Sequence, residues 1–95
     1  MNKEDLDQPL RLIVHHSIKS KTGDIILTNI LSGWLLPGMN IESQLISVWV
    51  ESIWHIGIEV SQANPGDLVG VKISSNTYIN DLKGLIFTDG SIQIP

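Results

Sequence analysis

The chain has 95 residues, 42% of them hydrophobic, with six Lys and Arg against ten Asp and Glu for a formal net charge of −4, and no cysteine. That length suits one domain with a real core and leaves no room for a second. The absence of thiols excludes a disulfide framework and a thiolate metal site, and the acidic balance argues against coating nucleic acid by bulk electrostatics.

Residues 1 to 9, Met1-Asn2-Lys3-Glu4-Asp5-Leu6-Asp7-Gln8-Pro9, read as a flexible acidic tail that lacks the basic and apolar regions of a signal peptide. The longest apolar stretches are a few residues, far short of the ~20 a membrane span needs. A soluble protein in the reducing cytoplasm, with no membrane partner, is therefore expected.

Residues 10 to 18 follow Pro9 as a strand. Residues 17 to 23 supply a polar connection in which Gly23 can take a positive φ, and residues 24 to 31 return as the second strand of a hairpin. Two turns then share one pattern, Leu36-Pro37-Gly38-Met39 and Asn64-Pro65-Gly66-Asp67. Pro at the second position fixes φ near −65° and Gly at the third supplies the positive φ of a type II turn, and Asp67 is placed to cap its own turn.

Between the turns Ile46, Val48 and Val50 alternate with Ser47, Trp49 and Glu51, the period of a half-buried strand. Ile56, Ile58 and Val60 keep that parity while Ile53 breaks it, so a bulge is expected near residues 52 to 54. Residues 68 to 73 form a compact apolar strand, residues 74 to 81 are polar, and residue 85 begins a last pair of short strands. No segment shows helical periodicity. Six or so short antiparallel strands must hide their edges, and a small closed barrel does so best.

Catalytic chemistry finds no support. His15 and His16 are neighbours on one strand and point to opposite faces, and His55 is distant in sequence, so no convergent metal-ligand set is formed. No serine sits in a nucleophile elbow, and no carboxylate pair has a distinctive setting. Glu51, Glu59 and Asp67 read as solvated outer-face acids. Lys19 and Lys21 form the one basic hairpin tip, either solubilising or a phosphate contact. Trp49 should face outward and Trp34 lies in a loop, either as contact surface or as plates over the barrel rim.

Three segments read together, GDIILTNILSGWLLPGM (23 to 39), VESIWHIGIEVSQANPGDLVGVKI (50 to 73) and LKGLIFTDG (82 to 90), resemble the second domain of translational GTPases such as elongation factor Tu. The family pattern falls in register on Gly23, Gly33, Gly38, Ser52-Ile53, Ala63, Pro65-Gly66-Asp67, Val69-Gly70 and Lys83-Gly84, and covers about residues 10 to 90.

The resemblance implies an all-β fold, a small closed six-stranded antiparallel barrel of the translation-factor domain 2 type over residues 10 to 95. In it Gly23, Pro37, Gly38, Pro65, Gly66, Asp67 and Gly70 serve as turn and barrel elements. It also implies a barrel that does no chemistry, docks on the RNA of the small ribosomal subunit and, in tRNA-delivering members, helps hold the aminoacylated 3′ end.

The chain departs from the family at three points. A basic residue in the strand before Gly33 is replaced, so that Thr28 and Asn29 stand where a glycine and a cation are usual. Trp54 occupies a position usually acidic in tRNA-delivering members. The phosphate-cradling motif of the GTPase domain is missing: Gly33 and Gly38 have its spacing, but Met39-Asn40 follows in place of Lys and Ser or Thr. Nucleotide binding is thus not expected. Related barrels occur in flavin and iron–sulfur reductases, yet no residue cluster here asks for such a cofactor.

The expected contacts with RNA or a ribosomal subunit are Lys19, Lys21, Asn29, Ser32, Gly33 and Trp34, because Lys and backbone N–H groups position phosphates. The alternative is a protein-interaction module that pairs with itself or with a separate translation factor through Trp49 and Trp54.

Overall fold

A computed structural model describes residues 8–20, 23–75 and 81–90. Its strands are β1 (Arg11–Ser20), β2 (Gly23–Ser32), β3 (Asn40–Glu42), β4 (Ser47–His55), β5 (Ile58–Val60), β6 (Leu68–Ser74) and β7 (Ile86–Asp89). Among the described residues there is no helix. Hydrogen-bonded neighbours run β3-β7-β1-β2-β6-β4-β5, and β3 also pairs with β4. That last pairing closes six strands into an antiparallel ring, and β5 is an extra strand carried outside the ring on β4. Closure leaves the ring without a free edge.

Alternation along the strands fills the barrel. Leu12 and Val14 of β1, Ile26 and Ile30 of β2, Ile41 of β3, Val48, Val50 and Ile53 of β4, Val69, Val71 and Ile73 of β6, and Phe87 of β7 are all buried. Leu10, Leu35 and Ala63 fill one end, the last two joined by an isolated bridge. Among the described residues one polar side chain shares this interior: Thr28, wholly buried, whose hydroxyl donates to the Ile13 carbonyl at 2.6 Å. The bond offsets the desolvation that a buried hydroxyl would otherwise cost.

The register slips at three places, once where β1 and β2 meet at Arg11 and Leu12, with Leu31 left without a rung, and twice at bulges within the strands. On β1, Val14 opposes Thr28 and His16 opposes Leu27, which leaves His15 without a rung of its own. His15 and His16 are consequently both exposed, where uninterrupted alternation would put them on opposite faces. On β4, Val50 opposes Ile73 and Ser52 opposes Lys72, so the bulged residue is Glu51, one position before the expected stretch. Ile53 enters the core because of it.

Beyond Ile53 the expected parity fails. Ile56 and Gly57 are the two central residues of a tight turn, with φ of 52° and 75°, between the paired residues His55 and Ile58. Ile56 is 86% exposed and Ile58 67%, so the parity set by Ile53 is the buried one and neither isoleucine joins the core. Positive φ at both positions marks a type I′ turn, which normally takes Asn or Asp before Gly.

The two Pro-Gly turns form as expected, with φ of 91° at Gly38 and 90° at Gly66. Met39 N–H donates to Leu36 O at 3.3 Å and Asp67 N–H to Asn64 O at 3.0 Å. The Asp67 carboxylate accepts from Asn64 N–H at 2.9 Å, completing its turn from the other side. Of the final expected strand pair, β7 is present and any later strand lies outside the described residues, as does Lys21.

Gly33, with φ of 70°, sits where the incoming chain crosses the end of β2: a Cβ there would stand 2.7 Å from both Leu10 Cα and Leu10 N. Gly33→Ala should lower unfolding free energy by about 2 kcal/mol or more, combining backbone strain with a backbone clash, as read by urea denaturation. Ile56→Asn should do the reverse, raising stability by roughly 0.5–1 kcal/mol and Tm by a few degrees, because Asn accepts the left-handed conformation that a β-branched side chain resists.

Candidate functional site

The residues expected to contact RNA divide between the two ends of the β1–β2 hairpin. Lys19 opposes Asp24 near its tip, whereas Ser32 opposes Arg11 at its base. Eight residues of β2 separate those rungs, about 25 Å at the rise of a strand. Ser32, Gly33 and Trp34 stay together at the base. There the Ser32 hydroxyl donates to Pro9 O at 2.6 Å, Gly33 is buried beneath the chain at Leu10, and Trp34 is exposed. Pro9 and Gln8, the described end of the N-terminal segment, are thus held against this corner.

Asn29 lies between the two ends and is half-buried. Its Oδ1 meets His15 Nε2 at 2.5 Å, and its Nδ2 donates to Asp67 O at 3.3 Å. One side chain therefore ties the β1 bulge to β2 and to the 64–67 turn. Beside this strap, Ile13, His15, Asn29, Leu31, Pro65 and Gly66 line an open cleft of about 510 Å³. Its walls are mainly aliphatic, with the His15 ring and the Asn29 amide, bonded to each other, on one side.

The other two tryptophans stand outward on β4. Trp49, 53% exposed, opposes Ser74, and Trp54 opposes Gly70. Four residues of β6 separate those partners, about 14 Å. The Trp54 indole N–H donates to Ser52 Oγ at 3.1 Å, which turns the ring along its own strand. Glu51 and Glu59 are exposed and Asp67 is half-buried. Among the described residues no three His, Cys, Asp or Glu side chains stand close enough to hold a metal ion.

A feature passed over in reading the sequence is the outer face of β2. Its inward positions are Ile26, Thr28 and Ile30, but its outward positions include Ile25, Leu27 and Leu31, all exposed. Leu68 of β6 and Ile18 of β1 add to the same side. The signal was present in the run Ile25-Ile26-Leu27, apolar in both parities, which is how a strand covered on two faces reads.

Six antiparallel strands closed into a barrel, with one further strand hung on β4, are the fold type of translation-factor domain 2. Neither a family profile nor a curated protein matches the sequence. Solved structures do match in fold. Translation elongation factor SelB from Methanococcus maripaludis, in its apo form, aligns with a TM-score of 0.77 at 21% identity over 93% of this chain and 20% of its own. A bacterial selenocysteine-specific elongation factor, EF-Sec, aligns at 0.82 and 16% identity over 95% of this chain and 16% of its own. Sup35 complexed with GDP aligns at 0.80 and 16% identity over 98% of this chain and 23% of its own. The chain thus spans about a fifth of each of these translational GTPases, and the likeness at such identities is one of fold.

Asn29→Ala should lower unfolding free energy by about 1 kcal/mol, because Asp67 O loses a donor in a half-buried setting. The same variant should move the ring 15N resonances of His15 while leaving those of His55 in place.

Proposed function

We propose that this barrel is a non-catalytic docking module of translation, one that binds RNA or a ribosomal subunit in the cytoplasm and takes no nucleotide or cofactor itself. The observation that carries this reading is the likeness in fold to the elongation factors SelB and EF-Sec, over 93% and 95% of the chain, and to Sup35, over 98%. The local geometry supports a contact at the base of the β1–β2 hairpin, where Trp34 is exposed on a corner held rigid by Gly33 and by the Ser32 bond to Pro9. Lys19, about 25 Å away, is a second and separate point of contact, so the footprint runs along the hairpin rather than over one spot. With the net charge at −4, binding relies on these local contacts and on stacking rather than on a basic field.

Cosedimentation with separated ribosomal subunits across a salt series tests the proposal. The expected result is retention on one subunit that falls as salt rises, and that drops about tenfold or more in Lys19→Glu combined with Trp34→Ala. Protein that stays free of both subunits at every salt concentration contradicts it.

A second reading, a protein-interaction module, is favoured by the outward placement of Trp49 and Trp54 on a single strand. A partner reached this way is released by Trp49→Ala or Trp54→Ala and indifferent to Lys19→Glu.

A further inference from the structure

We propose that His15 and His16 form a paired, proton-gated contact for RNA phosphates, so that the barrel holds RNA more tightly as pH falls through the imidazole range. The inference rests on the RNA-docking reading above. It adds the residues that lie between the two contact points and the condition that controls them.

Charge is divided unevenly around the ring. Among the described strands every cation, Arg11, Lys19 and Lys72, lies on β1 or β6, whereas the acids Glu42, Glu51, Glu59 and Asp89 lie on β3, β4, β5 and β7 and only Asp24 lies on β2. β1, β2 and β6 are consecutive neighbours. With its histidines neutral that arc sums to +2, three cations less one acid, and the four acids of the other strands sum to −4. A polyanion therefore meets this protein on the β1–β2–β6 side.

The β1 bulge places two imidazoles on that side. An unbroken strand turns neighbouring side chains to opposite faces, but His15 has no rung of its own and His16 opposes Leu27, so both are exposed on the outside. Bulges recur next to functional sites because they re-aim a side chain in this way. The pair lies between the Ser32 rung, at the Trp34 corner, and the Lys19 rung. It joins two contact points about 25 Å apart into one track.

Hydrogen bonds fix what the rings offer. Asn29 Nδ2 donates to Asp67 O, so Asn29 Oδ1 faces His15 as an acceptor and His15 Nε2 carries the hydrogen between them. The neutral ring thus presents a bare Nδ1 lone pair, which repels a phosphate oxygen. A second proton turns that nitrogen into a charged donor on a ring that Asn29 already holds in place. The exposed His16 ring offers two N–H groups once protonated.

The charged groups on the elements packed around β1 leave the pair effective. On β2 the facing residues are Leu27, Thr28 and Asn29, and Asp24 stands three residues beyond Leu27, opposite Lys19. On β7 the rungs to β1 are Ile86, Phe87 and Thr88, all uncharged. The Asp67 carboxylate is taken by Asn64 N–H at 2.9 Å. Beside Val14, whose carbonyl accepts from Gly84 N–H at 2.8 Å, Lys83 is exposed, and Asp81 accepts from Lys83 N–H at 2.9 Å and from the Ser17 hydroxyl at 3.4 Å. On β6 the charged residue is Lys72. Protonating both histidines doubles the charge of the β1–β2–β6 arc from +2 to +4.

Cosedimentation with separated ribosomal subunits at about pH 7.5 and about pH 6.0, each over a salt series, reads the gate. At the lower pH retention should rise about tenfold, and the slope of log K against log salt should steepen by about 1.4, near 0.7 for each new phosphate contact on single-stranded RNA. His15→Gln combined with His16→Gln should abolish both changes, with thermal unfolding confirming that the variant is folded. His55→Gln, on the acidic side of the ring, should keep both. His16→Arg should raise retention at the higher pH toward the level that the unmodified chain reaches at the lower one. Subunit binding that is equal at the two pH values, or that rises as much in the double Gln variant as in the unmodified chain, overturns the gate and leaves RNA docking standing. Protein that stays free of both subunits at both pH values overturns the docking reading and this inference with it.

Discussion

The closed barrel depends on β3, a strand of three residues that must satisfy two neighbours at once. Asn40, Ile41 and Glu42 pair with Trp49, Val48 and Ser47 on one side, and Ile41 and Glu42 pair with Asp89 and Thr88 on the other. Without it β4 and β7 would each present an unpaired edge, and Ile41, Val48 and Phe87 would lose the wall that buries them. So short a ladder does not hold by itself, and the flanking residues extend it. The Pro37-Gly38 turn carries the chain to Val50, whose carbonyl accepts from Gly38 N–H at 2.7 Å and whose N–H donates to Met39 O at 2.8 Å. On the far side the Ser43 hydroxyl accepts from Leu45 and Ile46 N–H, each at 3.2 Å, and closes the return into β4. Asn40 adds side-chain bonds to Ser47 Oγ and Val48 O.

Once the ring is closed, the interior has no spare polar capacity and the outer surface is where this chain can act. Among the described residues every buried side-chain nitrogen or oxygen has a partner. The outer surface is uneven. The Asn29 strap spends an amide on His15 and Asp67 to hold a bulge and a turn together, while the adjoining rungs of β2 and β6 are left apolar and open. The β4–β5 hairpin projects Ile56 and Ile58 beyond the ring, with Ile56 in a conformation that isoleucine resists. Each departs from what the barrel alone requires, and such departures cluster where a protein meets something else.

Most of the ring was legible in the sequence because strands buried on one face write their period plainly. The alternation in Ile46, Val48 and Val50, the two Pro-Gly turns and the ordered glycines lead to the barrel. β3 carries no such mark, since three residues are too few to show a period, and its presence follows only from the need to close the ring. The β1 bulge is equally silent, because a single inserted residue at His15 changes which face follows without changing composition. The hairpin at Ile56-Gly57 was masked by its own chemistry: an isoleucine at a position that normally takes Asn reads as more strand. For the site, the alternation around Val48 and Val50 puts Trp49 on the outer face, where it is found, but nothing in the one-dimensional spacing shows that Lys19 and Trp34 lie at opposite ends of one hairpin, or that Leu27 and Gly70 are neighbours.

The most direct test of closure is native-state hydrogen exchange across the three residues of β3. If the ring is closed as described, the β3 amides that bond to β4 or β7 exchange as slowly as those in the centre of β2, such as Ile26, because both wait for global unfolding. Amides of β3 that exchange orders of magnitude faster than Ile26 would instead show an open sheet, with β4 and β7 as free edges.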